Sequence, residues 1–281
     1  MQRLLTPEQA RSFVLSHRFE GRTVGLVPTM GALHKGHLSL VRQSQQQCDV
    51  TVATIFVNPT QFGPSEDLDK YPRLLEHDCE LLEREGTAAV FLPSNEAMYA
   101  NGYSTFVDPP KVAQRLEGEC RPGHFRGVAT VVLKLSQILP ATHAFFGRKD
   151  YQQLKVIQAM LRDLSVGIIA VPCETVREQD GLAMSSRNRY LSDEQRSQSL
   201  RLSKALSKAK QLADSGEQSI DVIEEAMQEE LRRDGGVDRI DYATVVNAET
   251  LDPLSKLDQP AVALIAAFVG KTRLIDNQTI L

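Results

Sequence analysis

Along the first 175 residues, short apolar runs alternate with helical patterns, and this alternation limits the fold more than any other feature. Val24-Gly-Leu-Val-Pro28 and Val50-Thr-Val-Ala-Thr-Ile-Phe-Val57 are continuous apolar or β-branched runs, as expected of strands buried on both faces. Between them a helical pattern begins near His37, sets Leu38, Val41 and Ser44 on one face, and ends at Asp49. Strand, helix and second strand make a βαβ unit of a parallel sheet. The pattern recurs. Helices are expected over 74–85, closed by Gly86, over 128–139, stopped by Pro140, and over 151–164; strands are expected over 88–92, 143–146 and 167–171. The fold class read from this is α/β, a doubly wound parallel sheet.

Both flanks of this region read differently. Thr6, Pro7 and Gln9 have the spacing of a capped helix start with a capping box. After Cys173 the alternation stops. Ser192 and Gln195 form a second box, ahead of Leu202, Leu206, Ala209 and Ala213 at helical spacing up to Gly216. Ser219 caps a helix carrying Ile220, Ile223, Met227 and Leu231, which Gly235-Gly236 ends. Ile240, Tyr242, Thr244 and Val246 alternate as a half-exposed strand, and 262–269 reads as a strand buried on both faces. The expected division is therefore residues 1–175 and a smaller α+β domain over 176–281.

Composition narrows the function classes. The chain has 281 residues, enough for one large domain or two ordinary ones. Lys plus Arg is 32 against 36 Asp plus Glu, a net charge of −4. Proteins that grip nucleic-acid backbone are usually basic, so no nucleic-acid partner is expected. Cys48, Cys79, Cys120 and Cys173 are far apart and form no CxxC pair, which argues against a thiolate zinc site and fits a reducing cytosol. Cys48 and Cys79 read as packing residues. The longest apolar run, Ala261 to Val269, is too short to span a bilayer, and the first residues lack the apolar core of a signal peptide. No membrane partner is expected.

Five segments could carry chemistry. Pro28-Thr-Met-Gly-Ala-Leu-His-Lys-Gly-His37 lies between the first strand and its helix, where an open parallel sheet binds ligands. A helix N-terminus there is a phosphate site, Gly31 and Gly36 allow close approach, and His34 and His37 add donors. The same stretch also reads as a glycine-rich turn with surface histidines. It matches neither GxGxxG nor GxxxxGK[ST]. Asn58-Pro-Thr-Gln61 follows the second strand and offers amides to a small polar substrate, or is simply a turn. Arg121-Pro-Gly-His-Phe-Arg126, ahead of a helix, could face a phosphate or be a solvated loop. In Phe146-Gly-Arg-Lys-Asp150, Lys149 can hold a phosphate and Asp150 a phosphate-bridging magnesium ion, or the run is a charged helix start. Met184-Ser-Ser-Arg187 offers hydroxyls and a guanidinium to a polyphosphate, or is a serine-rich linker.

Taken together and in order, PTMGALHKGH, IFVNPTQF, YPR, LEGECRPGHFRGV, FGRKDYQQL and DGLAMSSRNRYL closely resemble the pantothenate synthetase family, the pantoate–β-alanine ligases. The resemblance runs from about Val24 to RLIDN at 273–277. HxGH alone also marks nucleotidylyltransferases and class I aminoacyl-tRNA synthetases. The resemblance implies a cytoplasmic, homodimeric enzyme of coenzyme A biosynthesis that couples (R)-pantoate to β-alanine with ATP and Mg²⁺, releasing AMP and pyrophosphate. It also implies a Rossmann-like nucleotide domain and a C-terminal lid.

Carried over by motif, ATP would meet Met30, Gly31, Ala32, Leu33, His34, Lys35, Gly36 and His37, with His37 the proton donor. ATP would also meet Gly147, Arg148, Lys149, Asp150, Val176, Met184, Ser185, Ser186 and Arg187. The catalytic set is His37, His34 and Lys149, with Asp150 toward the metal. Gln61 would contact both acids and Gln153 would contact pantoate; Asn58 and Arg121 complete the expected substrate set. Two departures stand out. Some relatives carry consecutive acids after YPR that have been associated with magnesium, but here the stretch is Glu76-His77-Asp78, so no metal is expected there. The 184–187 loop lacks a lysine, which leaves Lys149 as the main phosphate lysine.

The carboxylate of pantoate would attack the α-phosphorus of ATP, and the amine of β-alanine would then attack the acyl-adenylate. No side-chain nucleophile is needed. A nucleotidylyltransferase shares HxGH but leaves NPTQF and YQQL without a substrate acid. A non-catalytic nucleotide sensor would not need His34, His37, Lys149 and Arg187 all in place.

Overall fold

The structure, a computed structural model, describes residues 1–64, 66 and 68–281. Among these the chain divides into two units, one of residues 1–148 and 153–174, the other of residues 149–152 and 175–281.

In the first unit, β1 (Gln2–Leu4), β2 (Val24–Thr29), β3 (Val50–Ile55), β4 (Ala89–Phe91), β5 (His143–Gly147) and β6 (Ile169–Cys173) form one sheet in the order β1-β4-β3-β2-β5-β6. Every neighbouring pair is parallel. Successive strand residues point to opposite faces, so each strand feeds two cores. On one face Leu26, Val52, Phe91 and Phe146 pack with residues of α1 (Pro7–Phe19), α6 (His124–Ile138) and α7 (Tyr151–Asp163). On the other, Val27, Ala53, Val90 and Phe145 meet α2 (Lys35–Gln47) and α3 (Leu75–Arg84). Short α4 (Asn95–Met98) and α5 (Glu117–Cys120) lie in the connections. Ser44 is fully buried because its hydroxyl bonds that of Thr51 at 2.7 Å. The fit also needs Gly25, where a Cβ would lie 2.1 Å from Ser44 Oγ.

The second unit contains α8 (Asp193–Asp214), α9 (Ile220–Arg232) and an antiparallel sheet of β7 (Arg239–Asn247), β8 (Ala261–Val269) and β9 (Thr272–Thr279), with β8 central. Leu202, Leu206, Ile223, Met227 and Leu231 pack with Ala243, Val245, Ile265 and Leu274 as its core. Both expected capping boxes form, Thr6 with Gln9 and Ser192 with Gln195.

Three expectations change. The sheet has six strands, because Gln2–Leu4 joins beside β4. The helix expected from 128 begins at His124, with Gly123 as its left-handed N-cap (φ 84°). In β7 a register shift between Ile240 and Tyr242 moves the core face to Ala243 and Val245, so the alternation expected through Tyr242 and Thr244 is off by one. A bulge does this because it inserts one residue into a period of two. Among the described residues no helix is long and apolar enough to cross a membrane.

Candidate active site

The strand order reverses direction beside β2. The chain runs from β2 to β3 to β4 toward one edge, and β5 then returns to the other side of β2. Ligands of open α/β sheets bind beyond the carboxyl ends at such a switch point. The segments 30–37 and 58–61 follow β2 and β3, and 147–148 begins at the last residue of β5, so all lie at this one edge of the sheet.

Thr29 at the end of β2 starts the first loop. Its hydroxyl donates to Thr54 O at 2.6 Å and accepts from Gly31 N at 3.2 Å. Gly31 and Ala32 both adopt positive φ, 81° and 51°. That conformation is costly for alanine and needs outside support. Asp78 supplies it from α3. It is 1% exposed, and its two carboxylate oxygens accept Ala32 N and Leu33 N, each at 2.8 Å. Sequence reading set this acid aside; its side chain is a built-in anchor for the loop.

His34 then caps α2. Its Nδ1 accepts from Gly36 N at 3.2 Å, while Nδ1 of His37 accepts from His34 N at 3.4 Å, so the two imidazoles form a capping box. The rings are 4.1 Å apart. An Nδ1 that accepts carries no proton, so each neutral ring keeps its proton on Nε2. Both imidazoles thus lie at the positive end of α2, while Lys35 is exposed.

The second segment is a tight turn. Asn58 is 1% exposed and its amide is fully engaged. Oδ1 accepts from Tyr99 OH at 2.7 Å, Thr60 Oγ1 at 3.0 Å and Thr60 N at 3.4 Å. Nδ2 donates to Gln61 Oε1 at 3.0 Å and Gly127 O at 3.3 Å. Gln61 Nε2 donates to Met30 Sδ at 3.2 Å, which ties this turn to the first loop. A cleft of about 280 Å³ near these strand ends is lined by Met30, Gly31, Val57, Arg73, Asp78 and Asn95.

Arg121 is not a solvated cation. It makes a two-point ion pair with Glu66 at 2.7 and 2.8 Å, which holds that carboxyl below its usual range despite burial. His124 beside it is 6% exposed, and burial, then the Arg121 charge, push its pKa down to about 4. Gly147 ends β5 and Arg148 follows it, with Arg148 Nε 3.4 Å from Glu174. Gln153 lies in the first turn of α7.

The second unit holds the remaining residues. Lys149 Nζ is 3.7 Å from Asp150 Oδ1, and the backbone carbonyl of Lys149 accepts from Asn277 Nδ2 at 2.7 Å. The Val176 carbonyl accepts Met184 N at 3.0 Å, which joins two expected nucleotide-binding residues eight apart in sequence. Ser185 Oγ accepts from Arg187 N at 3.3 Å, opening a 3₁₀ turn over Ser186–Tyr190. Arg177 anchors this loop through Asp276, 3% exposed, at 2.6 and 2.9 Å. Asp276 and Asn277 belong to the RLIDN run, whose acid and amide were the only sequence signal of these anchors.

The thiols do not form a site. Cys48, Cys79 and Cys173 are buried, which raises their pKa values, that of Cys173 to about 11.

Comparisons with known proteins identify the family. A model of the family described as pantoate-beta-alanine ligase matches residues 2–279. The pantothenate synthetase of Rhodopirellula baltica is 53% identical, with 93% of this chain and 92% of that one aligned. That of Thermotoga neapolitana is 50% identical over 99% of both chains. The crystal structure of pantothenate synthetase from Thermus thermophilus superposes with a TM-score of 0.94 at 42% identity, covering 100% of this chain and 99% of that one. A Francisella tularensis pantoate-beta-alanine ligase, complexed with beta-gamma ATP and beta-alanine, superposes at 0.81 with 31% identity, covering 99% and 97%. A family match nearly end to end, over a switch-point loop capped by two histidines, leaves one assignment: the chain belongs to the pantoate–β-alanine ligase family.

Proposed function

We propose that the chain condenses (R)-pantoate with β-alanine through a pantoyl-adenylate, turning ATP into AMP and pyrophosphate. The observation that carries this reading is the histidine capping box at 34–37, which sets two imidazoles at a helix N-terminus just past β2 of the parallel sheet. In the first step a carboxylate oxygen of pantoate attacks the α-phosphorus and the bond to the β-phosphate oxygen breaks. Charge grows on the phosphoryl oxygens and on departing pyrophosphate, where preorganised donors stabilise it most. His34 and His37 supply such donors, with the Nε2–H of His37 hydrogen-bonding the leaving oxygen without giving up its proton. Lys149 adds an ammonium, and Ser185, Ser186 and Arg187 grip the polyphosphate. Met30 to Gly36, Gly147, Arg148, Asp150, Val176 and Met184 complete the nucleotide contacts. In the second step the amine of β-alanine attacks the acyl carbon, the C–O bond to the AMP phosphate breaks, and the amine passes its proton to the departing phosphate or to water.

Gln61 meets both acids, since one N–H and one lone pair of its amide remain beyond its bonds to Met30 and Asn58. Gln153 meets pantoate. Asn58 and Arg121 hold neighbouring groups in place, because their polar atoms bond within the protein. Residues 1–175 carry the nucleotide and pantoate, with 176–281 as the lid. Mg²⁺ fits this donor set as an ion carried on ATP phosphates, which need only one or two protein carboxylates. Asp150 is the carboxylate beside Lys149 that would face the ion, and among the described residues no group of three or more His, Cys, Asp or Glu could hold a metal by itself. Bound there, the ion would neutralise phosphate charge. The working state is a cytoplasmic homodimer.

The test is AMP release from ATP with each acid omitted in turn. Sustained release that needs both pantoate and β-alanine supports the reading. Release with a phosphate or nucleotide acceptor alone would overturn it in favour of a nucleotidylyltransferase.

A further inference from the structure

The first turn of α6 packs directly beneath the 58–61 turn. A Cβ on Gly127 would lie 2.3 Å from Thr60 O and 2.6 Å from Gln61 Cα, so only glycine lets the two backbones meet. One helical turn earlier, Nδ1 of His124 lies 2.8 Å from the backbone carbonyl of Gln61, and its Nε2 lies 3.0 Å from an Arg121 guanidinium nitrogen.

Which imidazole nitrogen bears the proton follows from chemistry. A guanidinium has donors and no acceptor, so it can meet only an unprotonated Nε2. A backbone carbonyl has no donor, so it can meet only a protonated Nδ1. Both contacts hold together only when His124 is the neutral Nδ1–H tautomer. Glu66 fixes the other side of Arg121 with its two-point ion pair, so the guanidinium cannot turn away. The chain of contacts runs Glu66, Arg121, His124, Gln61, and ends on a residue whose side chain reaches Met30.

We propose that His124, locked as its Nδ1–H tautomer by the Arg121–Glu66 pair, is a positioning residue that sets the Gln61 amide for its acid substrates. It touches no substrate itself. The proposal rests on Gln61 meeting pantoate, as argued above. Burial that keeps the ring neutral to about pH 4 agrees with the tautomer, because a second ring proton would face the Arg121 charge.

The two halves of the ring can be replaced separately. Asparagine places an N–H near Nδ1 and keeps the bond to Gln61; glutamine reaches the Nε2 position and keeps only the partner of Arg121. In the full-length enzyme, H124Q is expected to raise the pantoate KM roughly five- to tenfold, the effect of one lost buried hydrogen bond, with the ATP KM little changed. H124N is expected to recover most of that loss. Equal effects of the two variants, or an ATP KM that moves as far as the pantoate KM, would overturn the proposal. Q61A is the reference: if its own pantoate KM is normal, the assignment of Gln61 is wrong, and the substrate half of the proposal falls with it. The hydrogen-bond half is decided without any variant. Nitrogen-15 NMR of the wild-type enzyme labelled at histidine should show His124 neutral at pH 7 with its proton on Nδ1; an Nε2–H or doubly protonated ring would refute it.

Discussion

Replacing Asp78 by asparagine tests how the 30–37 loop, the proposed nucleotide site, is held. The carboxylate takes two N–H bonds at 2.8 Å, from Ala32 and Leu33, in a site only 1% exposed. Asparagine keeps one oxygen for one N–H and turns an NH₂ toward the other. One bond falls from charge-assisted to neutral strength, a loss of about 1 kcal/mol, and one buried N–H is left unpaired at about 1–3 kcal/mol. The sum is about 2–4 kcal/mol against a loop that already carries Ala32 at φ 51°. At about 2–4 °C per kcal/mol for domains of roughly 150–250 residues, the unfolding midpoint should fall on the order of 10 °C. The KM for ATP should rise more than that for pantoate. Glu76, two residues away, is the control: it is exposed and pairs with Arg3 at the surface, so Glu76→Gln should leave both readouts nearly unchanged. The measurements are thermal unfolding and initial rates at varied ATP. A wild-type midpoint and ATP KM in Asp78→Asn would refute the anchoring argument. An ATP KM restored by excess Mg²⁺ would instead make Asp78 a metal ligand.

Other perturbations have equally definite outcomes. His37→Ala should fold, since it lies at a helix start, yet lose roughly 10²–10³ in the rate of adenylation seen by rapid quench; near-normal turnover would reject its role. Gln153→Ala should weaken pantoate by about 1–3 kcal/mol in calorimetric titration while ATP binding holds. His124 gives a pH signature. Its folded pKa of about 4 lies below the unfolded value of 6.5, so the unfolded chain binds more protons between them. Its stabilising contribution is complete above pH 6.5 and is lost as pH falls toward 4, by about 3 kcal/mol in all. Urea unfolding at pH 7 and pH 5 should show this slope in the wild type and a shallower one in H124N.

The sheet was legible because buried parallel strands read as continuous apolar runs, and the capping boxes because Thr6–Gln9 and Ser192–Gln195 act over three residues. What escaped depends on distant partners. β1 is three residues long and owes its strand state to β4. β9 reads as polar because Asp276 is buried against Arg177, a partner 99 residues away. α2 begins two residues before His37 because an imidazole serves as the cap, outside the usual Ser, Thr, Asp and Asn set. At the site, the 30–37 loop was readable from its place after a strand. Asp78 entered only in a stretch where no metal is expected, and only the fold turns it toward Ala32 and Leu33. Arg121 and His124 looked like a basic loop, because Glu66 and the Gln61 carbonyl, which occupy them, lie 55 and 63 residues away.

The two-step scheme is tested most directly by pyrophosphate formation without β-alanine. In the proposed mechanism no thiol acts as nucleophile, in keeping with the raised pKa values of the buried thiols, so activation should need only ATP and pantoate. With enzyme in excess, those two substrates should release one pyrophosphate per active site, and labelled pyrophosphate should exchange into ATP only when pantoate is present. A requirement for β-alanine in both signals would contradict the adenylate intermediate. Exchange without pantoate would instead place AMP on the enzyme, at His34, His37 or Lys149.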